Sequence, residues 1–136
     1  MSYLGLNQIE KTVQELSKKI DAPQELLPTF GTSRDFGYPH IEVDGMGYHF
    51  VVVERGTEWE RRSSRQLSDL LYWIFEGITF SMAGDFELKH RIAGQDPRKL
   101  IFETQIELLS KIDIDFANRV KKEIDDTLKD HPLTNL

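Results

Sequence analysis

The chain has 136 residues, 39% of them hydrophobic and 29% charged, a length and balance that fit one globular domain with its own core and exclude a fibrous or disordered polymer. It contains no cysteine, so zinc ribbons, iron–sulfur sites and cysteine nucleophiles are excluded. With 23 acidic against 17 basic residues and a formal charge of −6, it lacks the Lys and Arg excess of a general nucleic-acid binder. The start, Met1-Ser2-Tyr3-Leu4-Gly5-Leu6, has neither the basic opening nor the apolar run of a signal peptide. The most apolar stretch, Leu70 to Gly84, is broken by Glu76 and falls short of the ~20 residues of a membrane span. The expectation is a cytoplasmic protein with no membrane or nucleic-acid partner.

In chain order, Ile9, Val13, Leu16 and Ile20 form one helical stripe, with Asn7 and Glu10 spaced as a capping box. Asp21-Ala22-Pro23 ends that helix. Pro23, Pro28, Gly31, Gly37 and Pro39 punctuate the next stretch, which has room for a short turn around Gln24 to Leu27. From Tyr38 the apolar period becomes two: Ile41 and Val43 alternate with His40, Glu42 and Asp44. Asp44-Gly45-Met46-Gly47 then turns into the β-branched, aromatic run Tyr48 to Glu54, which predicts a hairpin whose second strand is covered on both sides. After Arg55-Gly56, residues Thr57 to Arg62 predict a third strand with Thr57, Trp59 and Arg61 on one face.

Ser63 or Ser64 is placed to cap the dominant helix. Leu67, Leu70, Leu71, Ile74, Phe75, Ile78, Met82, Phe86 and Ile92 keep helical spacing, and Trp73, Gly77, Phe80 and Gly84 form a second stripe. Two apolar stripes predict a central helix packed on both sides, with Trp73, Ile74, Ile78 and Phe80 buried. Gly77 and Gly84, each unfavourable by about 1 kcal/mol in a helix, then suggest close approach of another element. Asp96-Pro97 is a strong start for the next helix, whose face is Leu100, Ile101, Gln105, Leu108, Leu109 and Ile112. Asp113 or Asp115 opens the last, with Phe116, Val120, Ile124 and Leu128 in line, and His131-Pro132 ends it. The fold class is α+β: an N-terminal helix, a small antiparallel hairpin or three-stranded sheet, a long central helix and two C-terminal helices. Residues 1–136 read as a single globular domain.

No catalytic constellation stands out. Glu87 and His90 share a helix face at i, i+3, the spacing of di-iron carboxylate bundles, but those need a second copy. His40, His49 and His131 have no matching partner in sequence. A salt-bridged structural pair is the better reading of Glu87 and His90, and no cofactor or metal is expected. No Gly-x-Ser-x-Gly elbow or phosphate loop is present. The segment Glu54 to Arg62 fits either a charged sheet edge that blocks strand pairing or a binding hot spot around Trp59. Glu54, Glu58, Trp59 and Arg61 are the candidate partner-binding residues.

Several stretches resemble the immunity protein 63 family of bacterial polymorphic toxin systems. They are Tyr48-His49-Phe50-Val51-Val52-Val53-Glu54-Arg55-Gly56, Leu70-Leu71-Tyr72-Trp73-Ile74-Phe75-Glu76, Met82 to Arg91, Gln95 to Glu103, Gln105-Ile106-Glu107-Leu108-Leu109 and His131-Pro132. The resemblance implies a cytoplasmic protein that binds and neutralises a cognate toxin domain. Within its motifs Glu54, Arg55, Arg61, Glu87, His90, Arg91, Asp96 and Arg98 form either a structural ion network or part of a toxin-binding face. The alternatives are a metal-dependent or acid–base enzyme using Glu87 and His90, and an adaptor domain with no toxin partner.

Overall fold

The computed structural model describes residues 3–134. Its elements run α1 (Leu6–Lys18), a 3₁₀ turn (Gln24–Leu26), β1 (Thr29–Phe30), β2 (Pro39–Asp44), β3 (Gly47–Glu54), β4 (Thr57–Ser64), α2 (Leu67–Lys89), α3 (Pro97–Ile112) and α4 (Ile114–Asp130). The chain divides into two compact units, Met1–Ile74 and Phe75–Leu136, with α2 running through the junction.

In the first unit, α1 buries Ile9, Val13 and Ser17; of the predicted stripe Ile9 and Val13 are buried in the helix and Ile20 just past its end, while Leu16 is only partly covered. Its start differs from the expected Asn7 cap. Gly5 is the N-cap, and the Gln8 side chain accepts a hydrogen bond from the Gly5 N–H at 3.0 Å. Gln8 sits three positions into the helix and can reach back, which leaves Asn7 inside the first turn.

The sheet has the order β1-β2-β3-β4, one strand more than expected. β1 has two residues and pairs in parallel with β2, Thr29 opposite His40 and Phe30 opposite Ile41, too short a piece for alternation to reveal. The β2–β3 hairpin closes with Asp44 opposite Gly47. The β3–β4 turn uses Arg55 and Gly56, both with positive φ (54° and 74°), the backbone that matches the twist of two strands. One face carries Ile41, Tyr48 and Phe50, all buried, with Arg62 over the Phe50 ring at 5.0 Å and the Trp73 ring at 5.7 Å. The fully covered part of β3 runs from Gly47 to Val51, with Val52 and Val53 partly exposed.

Ser64 stands just ahead of α2. Its Oγ accepts from the Gln66 N–H at 2.9 Å and donates to Asp69 at 2.7 Å. Along the helix, Leu70, Tyr72, Ile74, Phe75, Ile78, Thr79 and Ala83 are buried. The second predicted stripe is not. Phe80 is 49% exposed, Trp73 is only partly covered and Gly77 is exposed. A Cβ built on Gly77 or Gly84 meets nothing within 4 Å, so no element approaches there. Two buried rows side by side make one wide apolar face, and helical spacing alone cannot tell that from two opposite faces.

In the second unit, Asp96 caps α3 by accepting from the Arg98 N–H at 3.0 Å, with Pro97 in the first turn. Asp113 caps α4 by accepting from the Asp115 N–H at 2.8 Å. The two helices pack together, and Leu109, Ile112, Phe116, Ala117, Val120 and Ile124 are buried. Gln105, buried on α3, donates to the Glu76 carbonyl at 3.0 Å.

Candidate binding face on the sheet

Alternation along β2 puts His40, Glu42 and Asp44 on the side opposite Ile41 and Val43. Paired residues share a face, so the ladder His40–Val51–Arg61 and the ladder Glu42–His49–Ser63 lie beside one another on that side. A register shift at Val52/Val53 sets Val52 opposite Glu60 and Val53 opposite Glu58, which leaves Trp59 as the extra residue of a β-bulge. The bulge breaks the strict alternation of β4 and brings Glu58 onto the same face as Arg61.

Two hydrogen-bonded chains result. In the first, Arg61 donates to Glu58 through Nε and Nη2 at 2.9 and 3.0 Å and to Glu42 through Nη1 at 3.1 Å. Glu42 meets Nε2 of the buried His40 at 2.7 Å, while His40 Nδ1 is buried without a partner. In the second, the buried His49 meets Ser63 Oγ through Nδ1 at 2.6 Å and Asp44 Oδ1 through Nε2 at 2.8 Å. Buried imidazole nitrogens favour partners: His49 finds one for each nitrogen, on β4 and β2, whereas His40 finds one for Nε2 alone, two residues along its own strand.

The electrostatics follow from these contacts. The hydrogen bond from His40, with Arg61 behind it, holds the Glu42 carboxyl below the usual carboxylate range. His49, then the Met46 N–H, does the same for Asp44. Arg61 lowers Glu58, and Glu58 and Glu42 together raise Arg61. At neutral pH the face therefore carries the charges of Glu42, Asp44 and Glu58 against that of Arg61.

Of the residues expected to bind a partner, Glu58 and Arg61 lie in this network and Trp59 projects beside it, 71% exposed. Glu54, opposite Thr57 at the strand end, belongs to the alternate face and is not joined to them. Alternation missed Glu42, Asp44, His49 and Ser63 as members, although the spacing His40-x-Glu42-x-Asp44 already put three polar groups on one side.

The remaining polar residues of the motifs separate from this face. Arg91 grips Glu87 through Nε and Nη2, both at 2.9 Å, while His90 stacks on Phe86 at 4.1 Å and meets its carbonyl at 2.9 Å. The expected Glu87–His90 pair is thus replaced by Glu87–Arg91, because a guanidinium one residue further on offers two parallel donors. Asp96 pairs with Arg98, which donates to the carbonyls of His131 and Pro132 at 2.8 Å, and Asp96 accepts from the Thr134 N–H at 3.0 Å. Among the described residues no group of three His, Asp or Glu is arranged to hold a metal ion, and no helix is long and apolar enough to cross a membrane.

The profile of the immunity protein 63 family matches residues 44–126. The chain belongs to the immunity protein 63 family. No curated protein and no solved structure matches it. The immunity protein 63 segment takes in the Asp44–His49–Ser63 chain, the bulge at Trp59, and the Glu58–Arg61 and Glu87–Arg91 pairs. His40, Glu42, α1 and β1 lie before it.

Proposed function

We propose that this immunity protein acts in the bacterial cytoplasm by binding and neutralising the cognate toxin domain of a polymorphic toxin system, through the polar face of its sheet. The observation that carries the reading is the Glu58–Arg61–Glu42–His40 chain. Its ends are fixed before any partner arrives, so ordering it at an interface loses little entropy. Its acidic excess suits a basic toxin surface, where complementary charge speeds association.

The test is co-expression with the toxin domain encoded beside this chain's gene, which should rescue growth and yield a purified complex. Substituting Glu58, Trp59 and Arg61 together by Ala should weaken the complex while circular dichroism stays unchanged, with Trp59 contributing at least about 2 kcal/mol. A folded triple variant with unchanged affinity moves the interface elsewhere, first to the acidic α4.

The Ser63–His49–Asp44 spacing of 2.6 and 2.8 Å favours one second reading, hydrolysis with Ser63 as nucleophile and His49 as base. A fluorophosphonate probe that labels Ser63 in the wild type but not in His49→Ala would support it. An unlabelled chain removes it.

A further inference from the structure

β1 and β2 run parallel and are joined by residues 31–38, a return far shorter than the dozen or more residues usual for such a connection. So tight a return needs left-handed backbone. Gly31 (φ 87°) and Gly37 (φ 78°) provide it freely, but Asp35 (φ 58°) and Phe36 (φ 56°) adopt it too. A bulky residue in that region is a true outlier. Glycine would fit position 36 without strain, and Phe36 gains no packing there, since it is 80% exposed.

The loop is nevertheless held in place. Gly37 N–H donates to the Val53 carbonyl at 2.9 Å, Gly56 N–H to the Asp35 carboxylate at 3.2 Å, and Asp35 N–H to Ser33 Oγ at 2.8 Å. Arg34 lies over the Tyr38 ring at 4.0 Å. Val53 therefore has the Phe36 loop on one side and, through its pairing with Glu58, the Trp59 bulge on the other. Two strand spacings separate these flanks, roughly 10 Å. Two exposed aromatic rings thus stand at the same end of the sheet, each set by an irregularity of the backbone.

We propose that Phe36 and Trp59 form a two-pronged aromatic anchor, and that the toxin surface it fits carries two apolar clefts that receive them. This rests on the toxin-binding reading above and extends the face to a loop outside the family-matched segment. Rigid aromatic side chains with few rotors are the usual anchors of tight interfaces, and the fixed loop spares the ordering entropy of presenting one.

The experiment uses the full chain and the purified toxin domain encoded beside it. Phe36→Ala and Trp59→Ala should each weaken binding about thirtyfold, the effect of one hot-spot residue, with Phe80→Ala as the exposed-aromatic control leaving affinity unchanged. Independently of any partner, Phe36→Gly should keep or raise the urea midpoint of the free protein, because it relieves strain and removes no packing. A complex that forms with wild-type affinity for Phe36→Ala overturns the anchor and leaves the toxin-binding reading standing. A lowered midpoint for Phe36→Gly also overturns it, since the ring would then be serving the fold. If the wild-type chain forms no complex at all, the toxin-binding reading fails and the anchor falls with it.

Discussion

Gly47 and Gly56 make a controlled pair. Both have positive φ, 129° and 74°, and both close hairpins of the same sheet. Left-handed backbone costs an alanine about 1–2 kcal/mol at either place. Their surroundings differ. A Cβ on Gly56 meets nothing within 4 Å, whereas one on Gly47 falls 2.6 Å from the Ser64 carbonyl oxygen, 3.2 Å from its carbon and 3.4 Å from Arg65 Cα. Those are backbone atoms, and Ser64 cannot retreat freely: it is paired with Tyr48 and holds Gln66 and Asp69 at the head of α2. Overpacking of this kind adds about 1–3 kcal/mol. Gly56→Ala should therefore cost about 1–2 kcal/mol and Gly47→Ala about 2–5 kcal/mol, about 1–3 kcal/mol more than Gly56→Ala. Urea unfolding followed by tryptophan fluorescence reads the right region, because Trp59 and Trp73 both lie in the Met1–Ile74 unit. Equal costs for the two variants, within about 0.5 kcal/mol, would refute the clash, and with it the β3–β4 register that places Ser64 there.

Phe75→Ala should cost about 3–5 kcal/mol and Phe80→Ala less than about 1 kcal/mol, since Phe75 is fully buried and Phe80 half exposed; calorimetry or urea melts that find them equal would restore a second packed face on α2. Glu42, Asp44, Glu58, Glu87 and Asp96 all have carboxyls held below their ordinary values by hydrogen bonds, from His40, His49, Arg61, Arg91 and Arg98 respectively. Their folded pKa values lie under the unfolded ones, so the stability they contribute is present above about pH 4.5 and is lost as pH falls through the folded values. Urea midpoints measured from pH 7 to pH 3 should decline at the acid end, and Asp96→Asn should flatten that decline. Arg98→Ala should speed amide exchange at Thr134, whose N–H is held by the Asp96 carboxylate that Arg98 positions; unchanged exchange there would mean the segment is held by something else.

Most element types were legible because they depend on short-range rules. Asp96-Pro97 marks a helix start by cap chemistry, and the change of period at Tyr38 marks the strands; both are found in the structure. What was not legible depends on choices between near-equal local options or on distant partners. Gly5 with Gln8 and Asn7 with Glu10 both offer the side chain that reaches back to the cap's N–H, two residues apart, and spacing cannot rank them. β1 exists through its pairing with His40 and Ile41 rather than through its own two residues. The candidate face was half visible. Glu58, Trp59 and Arg61 were singled out for their charge and aromatic content, but the bulge that regroups them arises from the pairing of β3 with β4. Glu87 was given to His90 by the i, i+3 rule, while a bidentate Arg91 at i, i+4 wins by geometry.

The clasp at the start of α3 also decides how the chain bears a load. Tension applied through the last described residues reaches Thr134 first, where the N–H and the hydroxyl both hang on one carboxylate oxygen of Asp96. It then meets the carbonyls of Pro132 and His131, each gripped by the Arg98 guanidinium. These bonds lie in a short series outside the end of α4, so they must break before that helix can be peeled from its C-terminal end. A tether or fused domain placed after residue 134 would therefore pull against Asp96 and Arg98, and α4 would remain shielded until they let go.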